Sequence, residues 1–466
     1  MEESELAFAG IARQAELIRA GEVSSRELTE LYLRRIEQIN PKINAFTTVL
    51  ADRALAEADE ADGDSGGDKP MRGVPIAIKD VEDVEGVVTA LGTGAFDQPA
   101  RADGTLVERL RAAGAVIVGK TTLPELAICG FTESETWGVT RNPWNTDRST
   151  GGSSGGSGAA VAAGLVAGAS ASDGAGSIRI PAAFCGLFGL KPQRHRLPIT
   201  PHDHWFGLSV HGCLTRSVID TALFLDATVN RGGEAGAPPP PERPYAESAR
   251  APAQKLRIAI SDKPARALLS PTVSDEVKGA LAETEQLLRS LGHDVRREDP
   301  KFGMAGNNFV PRYLRGAHVD VEAVPHPERL ERRTRGFGRL GGLYPEAVVA
   351  RARRAAEQDA ERINRIFDRC DVLITPTTGE PPIEVGRWQG KGALRTVLGM
   401  SRVYAFTPMW NHTGQPAAAV PAGFTDGGLP LSVTLVGRPN DEATLLSLAA
   451  QLEAERPWAD RKPPVS

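Results

Sequence analysis

The chain has 466 residues, 41% of them hydrophobic and 24% charged, and its formal net charge is −5. This composition is ordinary for a globular protein and lacks the basic excess that nucleic acid or an anionic membrane surface requires. Its four cysteines lie far apart, with no C-x-x-C pair. This spacing favours reduced thiols in a cytoplasmic protein over disulfides or a zinc site, so we expect no bound metal. From the charge we expect no nucleic-acid partner.

The first predicted elements are helices within residues 1–60. Residues 11–20 have an amphipathic pattern that ends at Gly21, and S-S-R-E from Ser24 to Glu27 is a capping box before a second amphipathic helix. A polar, glycine-rich surface loop is predicted at 61–70. The N-terminal sequence has no signal-peptide pattern, and no stretch approaches the roughly 20 apolar residues of a spanning helix, so we expect no membrane segment.

Alternating strands and helices are predicted along the rest of the chain. Short apolar runs predict buried strands at 74–78, 115–118, 256–260, 371–375, 417–420 and 431–436. Helices are predicted at 106–113 and 274–291, and the charged residues 327–370 indicate solvated helix faces. This order predicts an α/β fold with a mixed, mostly parallel central sheet covered by helices on both faces. We expect one domain, 1–466, in which the proline-rich residues 231–254 form a surface connection.

The segment from Gly151 to Lys191 contains two serines in glycine-rich surroundings, Ser153 and Ser177, separated by 177 − 153 = 24 positions. Glycine lets the backbone turn sharply and leaves amide groups unobstructed. A flexible linker or a phosphate-binding loop is the alternative interpretation. However, the small apolar residues 159–169 predict a buried helix rather than the start of a domain, and the pattern G-x4-G-K-S/T is absent. A reactive serine would need a base and oxyanion donors nearby.

Candidates for that base are few. No G-x-S-x-G elbow with a histidine partner is present, and His211 and His412 are interpreted as core or loop histidines. No H-E-x-x-H motif indicates metal-assisted hydrolysis. Lys79 ends the strand predicted at 74–78, where it either extends into solvent, as most lysines do, or is buried as a base.

Seven motifs are informative together: GVPIAIKD, GKTTLPELA, TRNPWN, GGSSGGSGAAVAAG, DGAGSIRIPAAFCGLFGLKP, DVLITPTT and NHTGQPAAAVPAGF. Together they resemble the amidase signature family of serine hydrolases, and the resemblance covers nearly the whole chain. The resemblance implies that Ser177 is the nucleophile, that Ser153 is a bridging serine in a cis peptide, and that Lys79 is the base. A lysine base requires burial, because desolvation lowers its pKa below the usual value of about 10.4.

The resemblance also implies roles for the residues around Ser177. The amides of this loop would bind the oxyanion, with Gly174, Ala175 and Gly176 as donors. Three further residues, Ser154, Asp173 and Arg179, would brace the loop.

Three positions depart from the family pattern. Ala175 stands where relatives usually have glycine, which would be unfavourable if that position required a positive φ. Thr150 replaces a common proline, and Gln193-Arg194-His195 replaces Thr-x-Gly after Pro192. The first departure lies in the oxyanion loop. The third predicts a loop after Pro192 that differs from the one usual in the family.

The function implied is that of an amidase, which hydrolyses a linear carboxamide to an acid and an amine or ammonia without a cofactor. Alternatives are an acyl transferase or glutamine-dependent amidotransferase subunit, and a binding protein without activity. The expected partner is a small-molecule amide substrate, and a second copy of the chain in a homodimer is a further possible partner. Candidate pocket residues are Ile128, Cys129 and Phe131, beside the small Gly130. Trp205 and Phe206 either cover the entrance or belong to an ordinary surface loop.

Overall fold

The computed structural model describes residues 2–64, 69–230, 232, 236–265 and 269–466. The helices are α1 Glu3–Ala7, α2 Gly10–Arg19, α3 Ser25–Ile43, α4 Ala51–Gly63, α5 Thr105–Ala112, α6 Gly155–Ala162, α7 Arg179–Cys185, α8 His204–Gly207, α9 Val218–Thr228, α10 Tyr245–Arg250, α11 Asp275–Ser290, α12 Ala305–Glu322, α13 Arg332–Gly342, α14 Glu346–Asn364, α15 Ala393–Val403, α16 Pro408–Thr413 and α17 Glu442–Glu455. The strands are β1 Phe46–Val49, β2 Pro75–Lys79, β3 Val116–Thr121, β4 Glu133–Ser134, β5 Gly138–Val139, β6 Arg141–Asn142, β7 Asn145–Ser149, β8 Gly168–Asp173, β9 Gly189–Lys191, β10 Val210–Thr215, β11 Arg257–Ile260, β12 Asp294–Arg297, β13 Val372–Pro376, β14 Ala417–Phe424 and β15 Pro430–Val436.

Two sheets form the framework. One has the strand order β1-β3-β2-β8-β10 and the other the order β12-β11-β13-β15-β14-β9. An isolated bridge between Phe188 and Thr215 links them. Parallel pairing joins β3 to β2 to β8 and β12 to β11 to β13, whereas the remaining neighbours in these sheets are antiparallel. The mixed α/β sheet is confirmed, but antiparallel neighbours outnumber parallel ones, in part because β14 and β15 are joined by a short hairpin.

Both faces of the sheets are buried. Ile76 and Ile78 of β2 pack into one hydrophobic cluster, and Ala77 between them packs into another. Because successive side chains of a strand point to opposite faces, this alternation means that side chains cover the sheet on both sides. Helices α3 and α6 lie against the first sheet, and α11 lies against the second.

The predicted helices and strands are largely confirmed, and capping explains where several begin. The Ser24 side chain accepts a hydrogen bond from the Glu27 amide, which completes the predicted capping box of α3. The side chain of Ser274 caps α11 in the same way. Strand β2 is buried along its whole length and ends at Lys79.

Two predictions of secondary structure were wrong in detail. Residues 159–169 do not form one helix: α6 ends at Ala162, Gly164 has a φ of 64°, and β8 begins at Gly168. Small residues fit a close-packed strand as well as a helix, so their pattern could not separate the two. At 141–149 the sequence has no periodic apolar pattern and predicts a loop, but these residues contain the hairpin of β6 and β7.

The residues predicted as a surface connection, 231–254, include helix α10, whose Tyr245 and Ala249 are buried. Residues 231 and 233–235 of that connection, and residues 65–68 of the loop predicted at 61–70, lie outside the described residues. Within the described part of the chain, no helix has the length and apolar character needed to cross a bilayer.

Candidate active site

Lys79 is delivered into the interior by the carboxyl end of β2. Its side chain is fully buried, and Nζ lies 2.7 Å from Ser153 Oγ and 2.8 Å from Ser172 Oγ. Burial lowers the pKa of Lys79 to about 7, although the negative charges of Asp173 and Glu82 oppose this shift. The amine is therefore dry and able to exist in its neutral form near neutral pH.

The loop that carries Ser153 precedes α6. The peptide bond between Gly152 and Ser153 is cis, and Ser153 is buried. Thr132 Oγ1 donates a hydrogen bond to the Gly151 carbonyl at 2.9 Å, which ties this loop to a distant segment. The position of Ser153 therefore depends on contacts beyond its own glycine-rich segment.

Ser177 follows β8 on the loop before α7 and is partly exposed. Because β2 and β8 are parallel neighbours, their carboxyl ends lie at the same edge of the sheet, where Lys79 and the Ser177 loop meet. Ser154 connects the two serine loops: its amide donates to the Ser177 carbonyl at 3.3 Å, and its hydroxyl donates to the Ser172 carbonyl at 3.2 Å.

The amides before Ser177 are not equivalent. The Gly176 amide donates to Asp173 Oδ1 at 2.6 Å. Among the described residues, no hydrogen bond was found from the amides of Gly174, Ala175 or Ser177. These three amides, rather than that of Gly176, are available to an anion.

The substitution at Ala175 does not require left-handed backbone. The positive φ of this loop falls on Gly176, at 130°, and Ala175 is absent from the residues with a positive φ. A Cβ at Gly176 would lie 2.4 Å from Thr407 Oγ1, so that position needs glycine both for its backbone and for its space. The alanine is therefore compatible with the turn.

A buried ion pair braces the Ser177 loop. Arg179 Nε and Nη2 donate to the two carboxylate oxygens of Asp173, each at 3.0 Å. Asn411 Nδ2 donates to Asp173 Oδ1 at 2.9 Å, and Asn411 Oδ1 accepts from Arg179 Nη2 at 2.7 Å. Burial by itself would raise the pKa of Asp173, but the Arg179 charge and these hydrogen bonds lower it to about 2.

Two cavities meet at Ser177. The smaller has a volume of about 100 Å³ and is lined mainly by apolar side chains, among them Ile128, Phe309, Val310, Val397, Met400 and Met409. The larger has a volume of about 470 Å³ and includes Ser153 and Ser172 together with polar side chains, among them Asp203, His204, Ser209, His211 and Asp320. We call them the apolar cavity and the wide cavity.

The candidate pocket residues divide between the cavities and the core. Ile128 and Gly130 line the apolar cavity. Within the described residues, Cys129 and Phe131 line neither cavity; both are buried, and the Phe131 ring packs 4.9 Å from that of Trp388. Trp205 lines both cavities and Phe206 lines the wide one, so these aromatics are not ordinary surface residues.

The two histidines considered as bases have other partners. His412 is buried, with Nε2 3.0 Å from Asp359 Oδ2 and Nδ1 3.0 Å from Arg312 Nη1. His211 faces the wide cavity, and its Nε2 lies 2.8 Å from Glu82 Oε1. Neither is hydrogen-bonded to Ser153 or Ser177 in the part of the chain that the structure describes.

The atypical residues after Pro192 support the same region. His195 has a φ of 61°, and its ring stacks on His202 with centroids 3.9 Å apart. Arg194 donates to the carbonyls of Asn411 at 2.7 Å and His412 at 3.0 Å. This departure therefore connects to the segment that carries Asn411 and leaves the Lys79–Ser153 contact unaffected.

Several residues of the site were not predicted from the sequence. Ser172 contacts the lysine amine, Ser170 accepts a hydrogen bond from the Lys79 amide at 2.8 Å, and Thr407 Oγ1 donates to the Ala175 carbonyl at 2.7 Å. Asn411 opens the motif NHTGQPAAAVPAGF, so a signal was present for it. Nothing local marks Thr407 or the serines of β8.

Comparison with known proteins gives consistent matches over the whole chain. A family model described as Amidase matches residues 27–446. The chain is 48% identical to the "Putative amidase AmiB2" of Mycobacterium tuberculosis (strain ATCC 25618 / H37Rv), with 100% of both chains covered. It is 35% identical to the 6-aminohexanoate-cyclic-dimer hydrolase of Pseudomonas sp. (strain NK87), over 97% of this chain and 95% of that one. The solved structure of a 6-aminohexanoate cyclic dimer hydrolase complexed with substrate has a TM-score of 0.89 and 33% identity, covering 98% of this chain and 99% of that chain.

Proposed function

The chain belongs to the amidase family, and from this premise we propose that it hydrolyses a linear carboxamide through an acyl-enzyme on Ser177. One observation carries the proposal. A fully buried lysine amine, with its pKa lowered to about 7, lies 2.7 Å from the hydroxyl of Ser153, which lines the same cavity as Ser177. This arrangement supports a proton relay from Ser177 through Ser153 to Lys79.

In the first half of the reaction, Ser177 Oγ forms a bond to the carbonyl carbon. Its proton passes to Ser153 Oγ, and the proton of Ser153 passes to neutral Lys79 Nζ. The protons then return along the same path to the amide nitrogen, the C–N bond breaks, and the amine or ammonia leaves. Lys79 must therefore be neutral at the start of each turnover, which its burial favours.

In the second half, water attacks the ester carbonyl. The relay takes one proton from the water, the bond between the carbonyl carbon and Ser177 Oγ breaks, and the relay returns the proton to Ser177 Oγ. The products are the acid and a regenerated enzyme.

We assign oxyanion binding to the amides of Gly174, Ala175 and Ser177. The Gly176 amide is engaged by Asp173 and instead helps to hold the loop in shape. A preorganised oxyanion donor contributes on the order of 2.7–4 kcal/mol to transition-state stabilisation. The Asp173–Arg179 pair and Ser154 then act as supports for this loop.

Active-site labelling tests the nucleophile and the base separately. A fluorophosphonate should attach to Ser177, and Lys79→Ala should abolish labelling at neutral pH while circular dichroism shows an unchanged fold. Ser209→Ala is the matched control, because Ser209 lines the same cavity but does not contact Lys79 or Ser153. Attachment to another serine, or undiminished labelling of folded Lys79→Ala, would contradict the relay.

Product analysis tests the reaction class. A panel of aliphatic, aryl and peptide amides, with mass detection of the products, should give the free acid from the isolated chain. If an acyl-amine product forms in place of the acid when an acceptor amine is added, the enzyme is an acyl transferase instead.

A further inference from the structure

The position of Ser153 indicates which part of an amide each cavity receives. This step and those below rest on the proposed function. Ser177 lines both cavities, whereas Ser153 lines only the wide one. Because Ser153 must hand its proton to the departing nitrogen, the amine half of the substrate belongs in the wide cavity. The acyl half then extends from Ser177 into the apolar cavity.

Trp205 stands between the two cavities. Among the residues that the structure describes, three line both cavities, namely Ala127, Ser177 and Trp205, and Trp205 is the one with a large side chain. The indole is 6% exposed, so it forms part of the wall rather than a loose cover. The size of this side chain therefore sets how far the apolar cavity extends.

Helix α12 holds the indole in place. Trp205 Nε1 donates to Asp320 Oδ2 at 2.6 Å, and Tyr313 packs against the indole edge-on at 5.3 Å. A Cβ at Gly316 would lie 2.6 Å from Trp205 Cγ, so the ring rests directly on the helix backbone. On the other side, a Cβ at Gly174 would lie 3.0 Å from a ring carbon. The ring is thus clamped between α12 and the loop that holds Ser177.

We propose that Trp205, positioned by Asp320, is a specificity-determining residue that limits the acyl group to a short alkyl chain. The apolar cavity measures about 100 Å³, which is smaller than the roughly 150 Å³ of an apolar cavity that binds benzene, so it has room for a short alkyl chain rather than an aromatic ring. Its described lining includes the hydroxyl groups of Tyr313, Ser401 and Tyr404 but no charged side chain, so it disfavours a charged acyl group, which would be buried without a counter-charge. The substrate class is therefore an amide with a compact apolar acyl group and a more polar, larger amine.

The test is a series of acyl 4-nitroanilides from acetyl to decanoyl, with kcat/KM measured for each. Wild-type enzyme should prefer acyl chains of fewer than about six carbons, because the cavity is smaller than one that holds six-carbon benzene. Trp205→Ala should raise the ratio of kcat/KM for octanoyl over butanoyl at least tenfold, mainly through a lower KM for octanoyl. Trp205→Phe keeps a ring without the N–H group and should give a smaller change in the same direction.

Matched variants separate the wall from general damage. Phe206→Ala removes a neighbouring aromatic that lines only the wide cavity, so the octanoyl-to-butanoyl ratio should stay within twofold of wild type. Asp320→Ala keeps the indole but removes its acceptor, and should move the ratio in the same direction as Trp205→Ala. Asp320→Asn keeps an acceptor oxygen and should restore the wild-type ratio, which a purely structural role would not predict.

The outcomes distinguish this inference from the proposed function. An unchanged ratio in Trp205→Ala, or in Asp320→Ala if the former does not fold, overturns the role of Trp205. An equal shift in Phe206→Ala, or a wild-type enzyme that accepts decanoyl as well as butanoyl, also overturns it. If wild-type protein neither labels at Ser177 nor cleaves any amide of the series, the proposed function itself fails.

Discussion

The serine loops and the walls of the apolar cavity meet at Ser177, but different forces hold them. Around the serines, buried polar groups bond to one another: Lys79 to Ser153 and Ser172, and Asp173 to Arg179. Except for the half-buried Ser172, these groups are shielded from water, so each depends on a particular hydrogen-bond partner. The serine loops are thus specified by hydrogen bonds.

The apolar cavity is bounded instead by side chains that interact mainly through packing. Its lining comes from several separate parts of the chain, among them the residues around Ile128, helix α12, and helices α15 and α16. Dispersion and hydrophobic contacts are non-directional, so one apolar residue can replace another of similar size at small cost. We therefore expect substitutions in the serine loops to reduce turnover or stability. Substitutions in the walls of the apolar cavity should instead change which amide substrate is preferred.

The largest expected effect is at the nucleophile. Ser177→Ala should lower kcat by about 10⁶-fold, the size of loss typical of a removed serine nucleophile. Because Ser177 is partly exposed and its side chain braces nothing in the described structure, the midpoint of thermal unfolding should change little. Steady-state kinetics and differential scanning calorimetry measure the two quantities. A loss of less than about 100-fold would place the nucleophile elsewhere.

The next prediction concerns the stability contributed by the buried Asp173–Arg179 ion pair. Arg179→Ala leaves the buried Asp173 carboxylate without its charge partner, and should lower the free energy of unfolding by about 3–5 kcal/mol. Arg34→Ala is the control, because the Arg34–Glu3 pair is exposed and such pairs contribute about 1 kcal/mol or less. Denaturant unfolding measures both variants. Equal losses would show that burial of the pair carries no special weight.

The pH profile tests the charge surroundings of Lys79. Protonated Lys79 cannot accept a proton, so kcat/KM should fall as pH drops below a pKa of about 7 and stay level above it. The Glu82 carboxylate raises the pKa of Lys79, so Glu82→Gln should move this acid limb to lower pH. Activity at pH 6, relative to the plateau, should therefore increase.

The neighbouring exposed carboxylate provides the control for that experiment. Asp83→Asn removes a negative charge of the same type one position away and should leave the acid limb where it is. A limb that fails to move in Glu82→Gln, or that moves equally in both variants, would mean that Glu82 does not act on the lysine.

The smallest expected effect lies in the cavity wall. Ile128→Val removes one methylene from the apolar cavity and should cost about 0.5–1.5 kcal/mol of stability. The kcat for a short acyl amide should stay within about threefold of wild type, because no group of the relay changes. Kinetics with butanoyl and hexanoyl anilides check this. A loss of kcat comparable to that of Lys79→Ala would remove the distinction between the two regions.

Much of the site was predictable because its signals are local. Short stretches of sequence were enough to predict the strand that ends at Lys79, the helix cap at Ser24 and the two glycine-flanked serines. The family resemblance is confirmed as well. The helix predicted at 159–169 was wrong because small residues have no clear period. Gly168–Asp173 is a strand because it pairs with β10 along its whole length and with β2 at its start.

By itself the sequence determined the family, the α/β class and the candidate relay residues, since each depends on neighbours a few positions apart. The tertiary structure alone decided that Lys79 is dry, that the Gly176 amide serves Asp173, and that Trp205 meets an acceptor 115 positions away. Such features depend on contacts between residues far apart in the sequence. The local conformational propensity of a segment does not specify which distant segment packs against it. Proton transfer and substrate choice both depend on those contacts.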